Sequence, residues 1–85
     1  MKINVKYFAS VREAVGTGAE AIGLPDSVAT VGAVRALLVA RGGAWEEALG
    51  DKRAVRMACN QIMCDADAPV DDGAEVAFFP PVTGG

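Results

Sequence analysis

Residues 30–41 read TVGAVRALLVAR, and the fold turns on how this stretch is read. Val31, Val34, Leu37, Leu38 and Arg41 recur at the three- and four-residue spacing of one helix face. Thr30 sits at the N-cap, where its hydroxyl oxygen can accept a hydrogen bond from a backbone N–H of the first turn. Ala33 stands where a capping box would need Glu or Gln, so the cap rests on Thr30 alone. Gly42-Gly43 supplies the stop. The spacing predicts one main helix over 30–41.

Upstream, residues 2–8, KINVKYF, alternate. Ile3, Val5 and Tyr7 share one face and Lys2, Asn4 and Lys6 the other, which predicts a half-buried strand. ASVREAVG follows, read as a short helical turn capped by Ser10 and ended by Gly16. Residues 19–24, AEAIGL, form a weaker strand closed by Pro25-Asp26. Downstream, AWEEALG is a second short helical turn ending at Gly50. Residues 54–64, AVRMACNQIMC, read as a hairpin turning at Asn60-Gln61. Asp65 to Asp72 is a polar loop, and Asp72-Gly73 is a tight-turn signal. EVAFF, residues 75–79, is the last strand, stopped by Pro80-Pro81 because proline brings no donor to a ladder. A strand pair, one main helix and two or three further strands predict an α+β fold, its mixed sheet of four to five strands curled round that helix.

The totals narrow the function. At 85 residues the chain is one small domain, with a hydrophobic fraction of 52% and a formal charge of −3. Without a Lys/Arg cluster, that charge speaks against nucleic acid and suits a partner with a basic face. No apolar run approaches a membrane span, and the N-terminus lacks a signal peptide's apolar region. The expected location is the cytoplasm, where Cys59 and Cys64 stay thiols. The sequence contains no histidine. That removes the commonest general base, the commonest metal ligand and any Ser-His or Cys-His pair.

Four other constellations read as structure. Asp65, Asp67, Asp71, Asp72 and Glu75 are acidic, but Val70 and Val76 occupy the positions where a calcium loop needs Gly and Glu. No metal is expected. Cys59 and Cys64 are diagonal neighbours in the hairpin, too far apart for an unstrained disulfide. Trp45 reads as packing. Gly42-Gly43 is not a phosphate loop, since no G-x-x-x-x-G-K-[ST] exists.

The end of the sequence carries the chemistry. After Phe79 come Pro80, Pro81, Val82, Thr83, Gly84 and Gly85. The prolines favour an extended exit from the sheet, and the glycines make a strand thin enough for a narrow channel. The expected organisation is a domain over residues 1–79 and a tail over 80–85. The Gly85 carboxylate then needs no processing. Joined to AMP by an ATP-using partner and displaced by a sulfur donor, it becomes a thiocarboxylate, a soft nucleophile on a tether. Such a protein is a group carrier.

DDGAEVAFFPPVTGG, residues 71–85, resembles the C-terminal signature of the MoaD family, the small subunit of molybdopterin synthase. FASVREAVG resembles that family's first strand and turn, and ACNQIMCDADAPVDDG its hairpin and loop. The similarity spans essentially the whole chain. The resemblance implies a ubiquitin-like β-grasp fold. It implies adenylation of Gly85 by an E1-like enzyme (MoeB-like) with ATP, conversion to a thiocarboxylate, and insertion of the tail into a large subunit (MoaE-like). There sulfur passes to cyclic pyranopterin monophosphate, within a heterotetramer of two small and two large subunits. No tightly bound cofactor is implied. Ala74 departs from the acidic residue usual in that turn, which would weaken a contact to a basic partner. Cys59 stands where a small apolar residue is usual.

Strand parity predicts a docking face. With Val76 and Phe78 inward, Ala77 and Phe79 face out. With Cys59 opposite Ile62, the core face carries Val55, Met57, Cys59, Ile62 and Cys64, and Met63 faces out. Phe79 and Met63, left outside near the root of the tail, anchor an interface or cap a sheet edge. Both match family positions at the large-subunit contact. Arg12 also matches one near it, though by itself it reads as a solvated helix charge. Four functions compete. They are a molybdopterin sulfur carrier, a thiamine-type sulfur carrier, a ubiquitin-like modifier joined through Gly85 to target lysines, and a plain interaction module. An enzyme in its own right is disfavoured by the missing histidine.

Overall fold

Strand β1 spans Lys2–Tyr7 and has the alternation its sequence predicts: Ile3, Val5 and Tyr7 are buried in the computed structural model, which describes residues 1–81. Helix α1, Ala9–Val15, follows. Strand β2, Ala19–Gly23, returns antiparallel to β1 with Ile3 opposite Ile22. Helix α2 runs over Val31–Val39 and helix α3 over Ala44–Leu49. Strands β3, Arg56–Cys59, and β4, Ile62–Cys64, form the hairpin, and β5, Glu75–Phe79, closes the chain's order. The sheet order is β2-β1-β5-β3-β4, with β1 and β5 parallel at the centre.

The central pair is also the most deeply buried, and the helices lie over it. Val31, Val34 and Leu38 of α2 pack with Leu49 of α3 against Val5, Tyr7, Val76 and Phe78, all fully buried. Thr30 caps α2, its Oγ1 accepting from the Ala33 amide at 3.1 Å. The helix ends earlier than its sequence predicts, at Val39. The amides of Arg41 and Gly42 bond back three residues, to Leu38 and Val39, and tighten the last turn. Arg41 therefore leaves the apolar face. Gly43, at φ 54° and ψ −128°, holds a conformation that residues with a Cβ avoid, and it turns the chain into α3.

Arg35 locks α3 in place. Its Nε donates to the Leu49 carbonyl at 2.6 Å, and its Nη2 to those of Gly50 and Arg53. One guanidinium thus satisfies the last carbonyl of that helix and two just past it. The N-cap of α1 differs from expectation. Phe8, not Ser10, occupies it, with no side-chain hydrogen bond, and Ser10 lies inside the helix. The cost is offset by packing, since Val11 is buried. Gly16 ends the helix as predicted, in the left-handed conformation.

The hairpin turns at Asn60-Gln61, both at positive φ, which matches the twist of its strands. Cys59 pairs with Ile62, as the sequence predicts. Burial does not follow parity, however. Met57, Cys59 and Cys64 are half-buried, and Ile62 is 71% exposed. The nine residues of α2 span only about 14 Å. Their buried residues pack against β1 and β5, and Ile62 at the start of β4 is left uncovered.

Candidate functional site

Two faces of the sheet differ in kind. The face opposite the helices carries Lys6, Glu75, Ala77, Phe79, Arg56, Ala58 and Met63, placed there by the pairing of β1, β5, β3 and β4. Ala77 lies between Lys6 and Ala58 in one cross-strand row that runs on to Met63. Ala77 faces this side as predicted, yet its neighbours leave it only 7% exposed. Ala58 and Ala77 thus make a low floor, with Met63 at one side and Phe79 at the other.

Phe79 is half-buried and not left outside as parity alone implies. The ring of Phe8 packs edge-on against it, with centroids 6.5 Å apart. Phe8 is 46% exposed and Met63 is 55% exposed. Phe8, Ala58, Met63, Ala77 and Phe79 together form one apolar patch. Sequence reading missed Phe8, although its signal was there. It follows Tyr7, whose side chain is inward, so the alternation sends Phe8 to the outer face.

Charge frames the patch. Arg56 is exposed and directly opposite Phe79. Lys6 Nζ pairs with Glu75 at 3.1 Å. Arg12 stands one helical turn from Phe8, to whose carbonyl its amide donates, and its guanidinium lies over Gly18. Among the described residues it makes no salt bridge. Phe79 feeds directly into Pro80, which lines a groove with Ser10, Val11, Ala14, Ala48 and Val55. Pro81 is the last described residue. Val82, Thr83, Gly84 and Gly85, on which the expected chemistry falls, lie outside the described residues.

Several candidates resolve into structure. Asp65 Oδ1 accepts from the Asp67 amide, Asp72 Oδ1 from the Lys2 amide, and Glu75 pairs with Lys6. No group of three or more metal-ligating side chains occurs among the described residues. Ala74 is 4% exposed within the core, so its methyl group packs inward and offers no partner contact. The weakened charge contact expected at this position therefore does not arise. Cys59 and Cys64 are free thiols. Burial raises both pKa values, with added repulsion from Asp71 on Cys59 and from Cys59 and Asp65 on Cys64. Neither is an activated nucleophile.

Trp45 packs edge-on against Tyr7 at 5.3 Å and carries the Arg41 guanidinium over its ring at 4.5 Å. Arg41 also grips Glu20 through two hydrogen bonds, at 2.7 and 3.0 Å, and Tyr7 donates to the same carboxylate. The Arg41 bonds hold the Glu20 carboxyl below its usual range. Burial, with the Glu20 charge, pushes the Tyr7 phenol well up. This network fastens β1, β2 and α3 together on the side away from the patch. No helix among the described residues is long and apolar enough to cross a membrane.

A five-stranded mixed sheet wrapped on one main helix, with its first and last strands parallel at the centre, defines a ubiquitin-like β-grasp domain. SAMP1 of Haloferax volcanii, a small archaeal modifier protein, superimposes with a TM-score of 0.81 at 29% identity, each chain covered in full. The chain belongs to the ThiS family, whose model matches residues 5–85. It is 45% identical over 83 residues to the molybdopterin synthase sulfur carrier subunit of Haemophilus influenzae, across 98% of this chain and 99% of that one. The subunit of the same name from Escherichia coli is 46% identical over the same spans.

Proposed function

We propose that this chain is the sulfur carrier subunit of a molybdopterin synthase and works in the cytoplasm. The Gly85 carboxylate attacks the α-phosphate of ATP on an E1-like enzyme, releasing pyrophosphate and leaving an acyl-adenylate. A sulfide-level donor then attacks the acyl carbon and expels AMP, leaving a thiocarboxylate. The tail, residues 80–85, enters the active site of a large subunit, where its sulfur bonds to cyclic pyranopterin monophosphate and water cleaves the acyl–sulfur bond, restoring the Gly85 carboxylate. Two small and two large subunits make the assembly. ATP is consumed by the activating partner, and the carrier itself holds no cofactor.

One observation carries this reading. The apolar patch of exposed Phe8 and Met63 and half-buried Phe79 reaches, through Phe79, the end of the strand that leads into the tail. Burying one such side chain is worth about 1.5–3 kcal/mol, so a partner that covers the patch gains affinity there. It would also aim the tail, since Pro80 and Pro81 follow Phe79 directly on the way to the reactive end. Arg12 and Arg56 would serve at the rim. The 45% and 46% identity to named sulfur carrier subunits over nearly full length supports the same reading.

Phe79→Asp is expected to abolish binding to the large subunit, measured by calorimetry, while the domain stays folded. Intact binding would sink the interface. Mass spectrometry of protein from its native cells is expected to find the C-terminal peptide heavier by the exchange of one oxygen for sulfur. Deleting Gly84-Gly85 is expected to abolish molybdopterin formation. A second reading, a protein modifier, is favoured by the likeness to SAMP1. It predicts Gly-Gly remnants on lysines of other proteins, joined through Gly85.

A further inference from the structure

Ile62 is the most exposed large hydrophobic side chain among the described residues, at 71%. It is the first residue of β4, the strand at one end of the sheet order. Met63, next to it, is 55% exposed and points to the opposite face. The edge of the sheet is therefore apolar above and below.

The backbone of this edge is open as well. Cys59 and Ile62 flank the two-residue turn, so they form a hydrogen-bonded pair. The next pair, Ala58 with Met63, is then a non-bonded one. Ala58 turns its backbone groups toward β5, in keeping with the bond from the Asn60 amide to the Glu75 carbonyl on that side. The Met63 N–H and C=O point the other way, off the sheet. An extended segment lying there would meet a donor and an acceptor flanked by an apolar side chain on each face.

We propose that the outer edge of β4 takes up an extended segment of the large subunit by strand addition. The inference rests on the reading that this subunit covers the open face. Continuity singles out that partner, because Met63 belongs at once to the edge and to the patch of Phe8 and Phe79. Residues of an added strand alternate between faces, so one segment reaches both Met63 and Ile62. A flat contact with the open face would leave Ile62 in water. Charge narrows the segment further. β4 runs straight into Asp65 and Asp67, which calls for a Lys or Arg at the end of the partner segment. A second copy of this chain is disfavoured, since each copy carries a net charge of −3 and the two would repel. The segment is thus short, apolar on alternate residues and basic at one end.

The test uses the full chain and the large subunit, with calorimetry and amide hydrogen exchange. Ile62→Asp is expected to weaken binding by at least about tenfold with an unchanged melting curve. In the wild-type complex the Met63 amide is expected to exchange much more slowly than in the free protein. Phe79→Asp serves as the control on the underlying reading. If Phe79→Asp abolishes binding while Ile62→Asp binds like wild type, the edge site is overturned and the function stands. Unchanged Met63 exchange on binding overturns strand addition in the same way. If neither substitution affects binding, the docking reading itself fails and this inference falls with it.

Discussion

The two faces of one sheet are built to opposite rules. On the helix side, Val5, Tyr7, Val76 and Phe78 are fully buried in one hydrophobic core. On the open side the same strands carry Lys6, Glu75, Ala77 and Phe79, and only Ala77 is fully covered. Adjacent residues such as Phe78 and Phe79 therefore answer to different demands. The first is held by the fold alone. The second, with Phe8 and Met63, is held loosely by the fold and is available to something outside it. In an 85-residue domain, placing three large apolar side chains on the open face reduces the burial that folding can draw on.

The widest gap between the faces should appear in a pair of alanine substitutions. Phe78→Ala removes a fully buried ring beside Tyr7, whose ring stacks on it at 6.4 Å. The expected loss is about 3–5 kcal/mol in urea unfolding, the range for a deleted core aromatic. Phe79→Ala removes one half-buried ring and its edge contact with Phe8, for roughly 0.5–1.5 kcal/mol. Similar losses at the two positions would break the distinction, because Phe79 would then be a core residue and not a docking one.

Local signals explain why so much of the covered face was legible. The alternation of β1, the Thr30 cap and the Asn60-Gln61 turn each depend on neighbours within a few residues, and each appears as read. The misreadings share a different cause. Ile62 has core parity, but whether a helix covers it depends on where α2 lies across the sheet, a non-local matter. Phe8 displaced Ser10 as the cap because the start of α1 is set by the end of β1, to which it is joined without a break. Arg41 has the spacing of a core position, yet its charge finds Glu20 and Trp45 once the helix ends. On the site, parity put Phe79 and Met63 on one face. The floor of Ala58 and Ala77 between them needed the strand order. The residues that carry the proposed chemistry were legible only through composition and resemblance.

Tyr7 offers a smaller test, at the rim of the covered face. Its folded-state pKa is raised, so its neutral form contributes stability that is fully present below the unfolded value of about 10. That contribution fades as pH rises above this value, where the unfolded chain ionises freely and the folded one resists. Tyr7→Phe keeps the ring but loses the bond to Glu20, for about 1–1.5 kcal/mol at neutral pH. Between pH 9 and pH 11, by about one unit either side of that value, the wild type should lose urea stability faster than Tyr7→Phe does. Parallel profiles would mean that the phenol is not held neutral by its surroundings.

The smallest effect belongs to the open face. Lys6 and Glu75 pair at 3.1 Å, with side chains 43% and 26% exposed. A pair so placed is worth no more than about 0.5 kcal/mol, and salt screens it. A double-mutant cycle of Lys6→Ala and Glu75→Ala, read by urea unfolding, should return a coupling of that size that shrinks at high salt. A coupling of several times that value would show the open face bearing on the fold as the covered face does. A small one fits a surface whose charges are spread to suit a partner, where changing them alters encounter before it alters stability.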